Sequence, residues 1–268
     1  MKITAIAPAK INLTLTVGKR LQSGYHDINT IMQTVSLTDI ITLENTGQNG
    51  ISVTVTGQFS EGVPTDDSNI CVKAARLFLQ DGLHIHIEKN IPHGAGLGGG
   101  SSDAAAVIVG LASIKGKIDT GQLELAAMNL GADVPFFIRG GLRLCTGIGM
   151  DLSDTDYDWG VNSPRIVIAM GSERMSTSAA YEILDKAGAA DFDSVITNPE
   201  ITEIKRLMRD AGAYKVSLSG SGAAVYGIFP GSEIKSIQKL KNNIRKDGYF
   251  CEICEPVAYG GKVTWAQI

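Results

Sequence analysis

Cysteine is scarce in this chain, with four among 268 residues, at positions 71, 145, 251 and 254. A disulfide scaffold of this length would need more, so the fold must rest on a packed core. Long apolar runs are missing as well. The stretch 104–112 falls far short of the roughly 20 residues that span a bilayer, and Lys10 interrupts any signal-peptide core near the start. An excess of positive charge is also absent: 24 Lys and Arg face 28 Asp and Glu, for a net charge of −4. Nonspecific nucleic-acid binders owe their affinity to basic side chains that neutralise phosphates, which excludes wholesale coating of DNA or RNA. These absences point to a cytoplasmic globular protein with neither a membrane nor a nucleic acid as partner.

Metal-site patterns are thin. Cys251 and Cys254 form a CxxC, but no second CxxC or HxxxH completes four ligands, and residues 249–255 read as a strand. His84 and His86 alternate with Ile85 and Ile87, as on the solvated face of a strand. No metal ligand is assigned. Glycine, by contrast, is plentiful: 31 residues, well above the usual share of about 7%.

Hydrophobic alternation from Lys10 onward, with Ile11, Leu13, Leu15 and Val17 on one face and Lys10, Asn12, Thr14 and Thr16 on the other, makes 3–17 a strand. Further strands are expected at 33–44, 50–55 and 83–88, with a helix at 69–79. An Ala-rich helix follows at 102–112, and Asp119 with Gln122 offers a capping box for another through Leu130, stopped by Gly131. The acidic, aperiodic stretch 151–164 is the expected linker, dividing the chain into 1–152 and 164–268. Beyond it the pattern is strand (165–170), helix (177–186), helix (199–211), strand (215–218), strand (223–229), helix (232–246), strand (249–257). Mixed order of this kind predicts an α+β fold with helices on one sheet face.

The densest signal is Pro92-His-Gly-Ala-Gly-Leu-Gly-Gly-Gly-Ser-Ser-Asp103, running into an apolar helix. Glycine lets the backbone approach a ligand closely, Ser101 and Ser102 are expected to cap the helix, and its free N–H groups make an anion site. A Walker A loop requires lysine where Gly100 stands. Gly94, Gly96 and Gly99 satisfy GxGxxG, but Lys89, Asn90 and Pro92 separate them from the preceding strand, unlike a dinucleotide fold. The HRD and DFG strings of protein kinases do not occur. A different phosphate loop is required.

Three other segments hold polar residues suited to phosphate chemistry. Lys10 and Asn12 share a strand face about 6.8 Å apart. Asp133 follows a helix end and precedes Pro135 and two aromatics, a setting equally suited to catalysis or to a simple Asp–Pro turn. Ser219-Gly-Ser-Gly222 joins two strands, as a ligand loop or as a mere hairpin.

In order along the chain, Pro8-Ala-Lys-Ile-Asn-Leu13, the loop from Gly94 to Ser102, and Ser219-Gly-Ser-Gly-Ala223 resemble the three motifs of the GHMP small-molecule kinases. The resemblance implies an N-terminal ribosomal-protein-S5-like half and a C-terminal ferredoxin-like half with the active site between them. It implies ATP along Pro92, His93, Gly94, Ala95, Gly96, Leu97, Gly98, Gly99, Gly100, Ser101 and Ser102, with Mg²⁺ shielding the phosphates. Lys10 would steady the transferred phosphoryl group, and Asp133 would orient or deprotonate the acceptor hydroxyl. Asn12, Gly220, Ser221 and Gly222 would hold the substrate. Gly24-Tyr-His-Asp27 and Leu130-Gly-Ala-Asp-Val-Pro-Phe136 resemble the branch that phosphorylates a cytidine-diphosphate-bearing methylerythritol on the non-mevalonate route to isoprenoid precursors. Tyr25, His26, Thr177 and Tyr181 then match the positions that grip the cytidine end, in a monomer or homodimer. Homoserine and mevalonate kinases are the rivals within the family. Met150, where an acid is common, and the lack of a proline in 170–174 depart from the pattern.

Overall fold

In the computed structural model, which describes residues 2–78, 82–115 and 119–267, the N-terminal alternation becomes an unusually long strand, β1 (Lys2–Arg20). It pairs antiparallel with β2 (His26–Asn45) along most of its length, with register shifts after Pro8, Asn12 and Val17. Proline has no N–H to give the ladder, so an irregularity beside Pro8 follows from its chemistry. Odd-numbered side chains from Ile3 to Leu13 stay buried but change core: Ile3, Ala5 and Ala7 join one cluster, Ala9, Ile11 and Leu13 a second, and beyond them Val17 joins a third. One strand thus serves three hydrophobic cores.

The first sheet adds β3 (Ile51–Thr56), β4 (Leu83–Glu88), β5 (Leu142–Thr146), β6 (Asp151–Ser153) and, from the far end of the chain, the last strand, Lys262–Gln267. That strand lies at the edge beside β1, followed by β2, β4 and β3, while β5 pairs β2 and β6 pairs β5. Helices α1 (Ile70–Arg76), α2 (Gly99–Ile114), α3 (Thr120–Ala127) and α4 (Val134–Arg139) complete this half. Asn69 caps α1 by accepting from the Cys71 N–H at 2.8 Å. Asp119 caps α3 by accepting from the Gly121 N–H at 2.9 Å. Helix α2 is buried along most of its length and packs on β1 and β2.

A second sheet contains β7 (Arg165–Met170), β8 (Lys215–Leu218), β9 (Val225–Phe229) and β10 (Phe250–Cys254), in the order β10-β7-β9-β8. Helices α5 (Thr177–Ala187), α6 (Pro199–Asp210) and α7 (Ile234–Lys246) cover one face. The other face, with Ile166, Ile168, Tyr226 and Ile228, packs on Ala9, Ile11 and Leu13 of β1. The returning strand Lys262–Gln267 is β11.

Several expectations need correction. Helix α2 begins at Gly99, with Gly98 at its N-cap (φ 70°) and no side-chain capping bond, so Ser101 and Ser102 lie inside the first turn. Helix α3 ends at Ala127, short of Leu130. Short elements α4, β5, β6 and β11 have no counterpart among the expected ones, because runs of three to six residues show too little periodicity. Residues 151–153 of the expected linker pair as β6, and Tyr157, Trp159 and Val161 pack on the second sheet's core. Strand β11, within the stretch 164–268, joins the first sheet instead of the second. The expected helix end at Leu79, the segment 116–118 and both terminal residues lie outside the described residues.

Cys251 and Cys254, three positions apart on β10, join different cores on opposite sheet faces. Burial pushes both thiols up to about 12. His84 and His86 are spent on a ladder with the hydroxyls of Ser52, Thr54 and Thr56 on β3, at 2.8–3.1 Å. No helix among the described residues is long and apolar enough to cross a membrane.

Leu111, fully buried on α2, tests the first core. Leu111→Ala should lower the unfolding free energy in urea by about 2–5 kcal/mol without changing the fold.

Candidate active site

The chain between β4 and α2 alternates anchors with pivots. Ala95 and Leu97 are buried in the core under the second sheet. Gly94, Gly96 and Gly98 have φ of 67°, 78° and 70°, left-handed values that other residues resist. Three consecutive carbonyls then turn into the protein. Ala95 accepts from the Ala224 N–H at 3.1 Å, and Leu97 accepts from the Lys10 N–H at 3.0 Å. Gly96 accepts from the Ser219 hydroxyl at 3.0 Å. Any Cβ on Gly96 would overlap the Ser219 carbonyl and lie 2.9 Å from the Gly222 nitrogen. With the carbonyls turned inward, the open N-terminus of α2 faces a cleft, a geometry that attracts anions.

On the adjoining strand the Lys10 ammonium donates to Asn12 Oδ1 at 2.6 Å. Asn12 Nδ2 donates to Thr30 Oγ1 at 2.8 Å, and that hydroxyl donates to the Thr14 carbonyl at 2.6 Å. This relay aims the amide oxygen at the lysine. Lys10 and Asn12 are both buried. Burial lowers the Lys10 pKa below its ordinary value, and the negative charge of Asp133 opposes that fall. Gly220 (φ 61°) lies against the pair, for a Cβ there would sit 3.0 Å from Asn12 Oδ1 and 3.3 Å from Lys10 Nζ.

Asp133 occupies the N-cap position of α4 yet makes no capping bond with its side chain. The carboxylate is thus free to face the cleft. Buried Phe136 and Phe137 fix α4, and the Phe137 ring fills the space beneath Gly98.

At the other end, the turn between β1 and β2 is held by the Leu21 N–H donating to Tyr25 at 2.7 Å and the Gly24 N–H donating to Leu21 at 2.9 Å. It leaves Tyr25 59% exposed. His26 Nε2 lies 2.8 Å from Asp185 Oδ1 of α5. The imidazole stacks on Tyr181 with centroids 4.8 Å apart at 18°, and Phe192 meets Tyr181 edge-on at 5.0 Å. Tyr181 is thus stacked on His26 rather than free on both faces. Burial, and then the charge of Asp133, raises its phenol pKa. Ser221 Oγ donates to Thr177 Oγ1 at 3.3 Å, tying the late glycine turn to the start of α5.

One cleft of about 940 Å³ joins these ends. It is lined by Lys10, Asn12, Tyr25, His26, the loop from Pro92 to Ser101, Asp133, Thr177, Tyr181, Gly220 and Ser221. Two expected residues are not in its lining. Ser102 is fully buried with an unpartnered hydroxyl, because it points inward from the first turn of α2. Gly222 instead packs on the backbone of Ala95 and Gly96. Arg20, Thr30, Glu182 and Asp185 also line the cleft, and the sequence reading missed them. For Asp185 the signal was faint: it stands one helical turn after Tyr181, so both can face His26.

This arrangement has known relatives. Residues 69–141 match the model for the GHMP kinases N terminal domain, and residues 175–246 match that for the GHMP kinases C terminal. A protein of Caldicellulosiruptor saccharolyticus named 4-diphosphocytidyl-2-C-methyl-D-erythritol kinase is 39% identical over 90% of this chain and 93% of its own. A protein of the same name from Desulfotalea psychrophila is 38% identical, covering 97% of this chain and 93% of its own. A crystal structure of 4-(cytidine 5'-diphospho)-2C-methyl-D-erythritol kinase superposes with a TM-score of 0.72 at 29% identity, over 96% of this chain and all of that one. Homoserine kinase from Cytophaga hutchinsonii gives a TM-score of 0.74 at 18% identity, over 98% of this chain and 97% of that one, a likeness of fold alone. By its matching domains and by relatives that span nearly its whole length, the chain belongs to the GHMP kinases.

Proposed function

We propose that the protein transfers the γ-phosphoryl group of ATP to the 2-hydroxyl of 4-diphosphocytidyl-2-C-methyl-D-erythritol, as a cytoplasmic enzyme. The observation that carries this reading is a single cleft with the N-terminus of α2 at one end, Tyr25, His26 and Tyr181 at the other, and Lys10 and Asp133 also in its wall. Homoserine kinase shares the fold equally well, so the choice of acceptor rests on the aromatic end and on the name shared by the relatives.

ATP's phosphates would lie on the N–H groups from Gly98 to Ser101. The acceptor hydroxyl attacks the γ-phosphorus, the new P–O bond forms as the bond to the β–γ bridging oxygen breaks, and ADP departs. Asp133 accepts the hydroxyl proton, which asks of a positioned base about 10²- to 10⁴-fold in rate. The Lys10 ammonium, aimed by Asn12, offsets charge on the transferred group. Ser101 brings a hard oxygen donor to the cleft wall, of the kind Mg²⁺ takes alongside phosphate oxygens. When bound there, Mg²⁺ would neutralise phosphate charge.

Mg·ATP with a panel of acceptor alcohols tests the reaction: ADP should form with the cytidylylated methylerythritol and not with homoserine or mevalonate. Comparable kcat/KM on mevalonate would retire the assigned acceptor. Asp133→Asn should keep its ATP affinity but lose about 10²- to 10⁴-fold in kcat. A near-normal kcat would assign the proton to another group.

Lys10 gives a pH signature. Because its pKa is lowered, the ammonium deprotonates below the ordinary lysine value as pH rises, so kcat/KM for ATP should fall on the alkaline side earlier than a free lysine would dictate. Asp133 opposes that lowering, so the residual activity of Asp133→Asn should lose its alkaline limb at still lower pH. Identical limbs in both proteins would detach Lys10 from the profile.

Tyr25→Ala removes an exposed ring without touching the core. A base stack worth about 1–3 kcal/mol corresponds to a rise of about 5- to 150-fold in KM for the acceptor, with KM for ATP unchanged. An unaltered acceptor KM would take Tyr25 out of substrate recognition.

A further inference from the structure

Beneath the glycine loop, on the side away from the cleft, lies a cluster of charge that the phosphotransfer steps do not use. Lys89, just past β4, is 3% exposed, Asp39 of β2 is fully buried, and Asp103 of α2 is 3% exposed. The Lys89 ammonium pairs with Asp39 Oδ2, and with Asp103 Oδ2 at 2.7 Å. The second oxygen of Asp39 accepts the backbone N–H groups of Asn90 at 2.5 Å and Ile91 at 2.8 Å. A Cβ on Gly99, the first residue of α2, would lie 3.1 Å from Lys89 Nζ.

One ammonium therefore stands where the loop begins and where it ends. Asp39 grips its entry at Asn90 and Ile91, and Asp103 grips its exit one turn into α2. Such a cluster is a poor means of stabilising a core, since burying ions forfeits hydration that apolar side chains would not need. Asp103 Oδ1 and Ser102 Oγ add to the expense, both buried without a hydrogen-bond partner. The carboxylates hold the Lys89 pKa up against burial, so the ammonium persists. What the cluster achieves is a fixed distance between the two ends of a glycine-rich segment that has little rigidity of its own.

We propose that Lys89, bridging Asp39 and Asp103, is a positioning residue for phosphate binding: it holds the loop from Pro92 to Ser101 and the first turn of α2 in the geometry that receives the nucleotide. This rests on the reading of that loop as the ATP site.

Lys89→Met alone leaves two buried carboxylates facing each other and invites unfolding, so the chosen variant is Lys89→Met/Asp103→Asn, which keeps the Asp39 bonds to Asn90 and Ile91. The control is Leu111→Ala, which weakens the same helix in its apolar core. The double variant should raise the Kd for Mg·ADP by calorimetry, and KM for ATP, about 10- to 100-fold, the scale of a misplaced binding group. KM for the acceptor should stay within about twofold, and Leu111→Ala should bind Mg·ADP like the wild type despite a lowered Tm. A folded double variant with wild-type Kd for Mg·ADP overturns the proposal, as does a loss matched by the Leu111→Ala control. Wild-type protein that binds no Mg·ADP overturns the loop reading itself, and this inference with it.

Discussion

The site depends on the inward turn of three successive carbonyls, at Ala95, Gly96 and Leu97. Each accepts a hydrogen bond from a different part of the protein: the start of β9's approach at Ala224, the turn at Ser219, and strand β1 at Lys10. A peptide unit that commits its carbonyl to the interior leaves its neighbours' N–H groups on the other side. The same bonds stitch the two sheets together at the point where β1 passes from its first core to its second. The contacts that hold the two halves together therefore also fix the conformation of the glycine loop.

Around that point, charge is arranged by burial. Lys10 is desolvated, and an ammonium in that state gains from every negative group brought to it, including an incoming phosphate. Asp133 faces the same cleft without a local capping bond to absorb it. Asn12 and Thr30 carry the chain of hydrogen bonds on from the lysine to the Thr14 carbonyl. At the far end, His26 trades solvent for Asp185 and the face of Tyr181. The cleft thus grades from an electropositive helix terminus to an aromatic wall.

Much of this was legible because it is local. The strand at 165–170 and that at 215–218 fall where alternation and flanking turn residues put them, and the starts of α5 and α6 follow their Ser176 and Asn198 caps. The helix after the glycine loop was misplaced by three residues because serine is a better cap by propensity than glycine. Here the left-handed turn at Gly98 overrode that preference. Asp133 was open to two readings in the sequence, which could not show that α4, too short to announce itself, leaves its carboxylate without a capping bond.

By itself the sequence determined the glycine pivots, the alternation of β1, the three motifs and their order, since each depends on backbone sterics or on neighbours within a few residues. Only the tertiary structure decided that Ser102 turns inward, that Tyr181 stacks on His26, and that β11 returns to the first sheet. It alone gathered Asp39, Lys89 and Asp103 around one ammonium. Contacts between residues 50 or 159 positions apart, as for Lys89 with Asp39 or His26 with Asp185, leave no local trace, because their energy is set by burial and by the meeting of strands and helices that no short window contains.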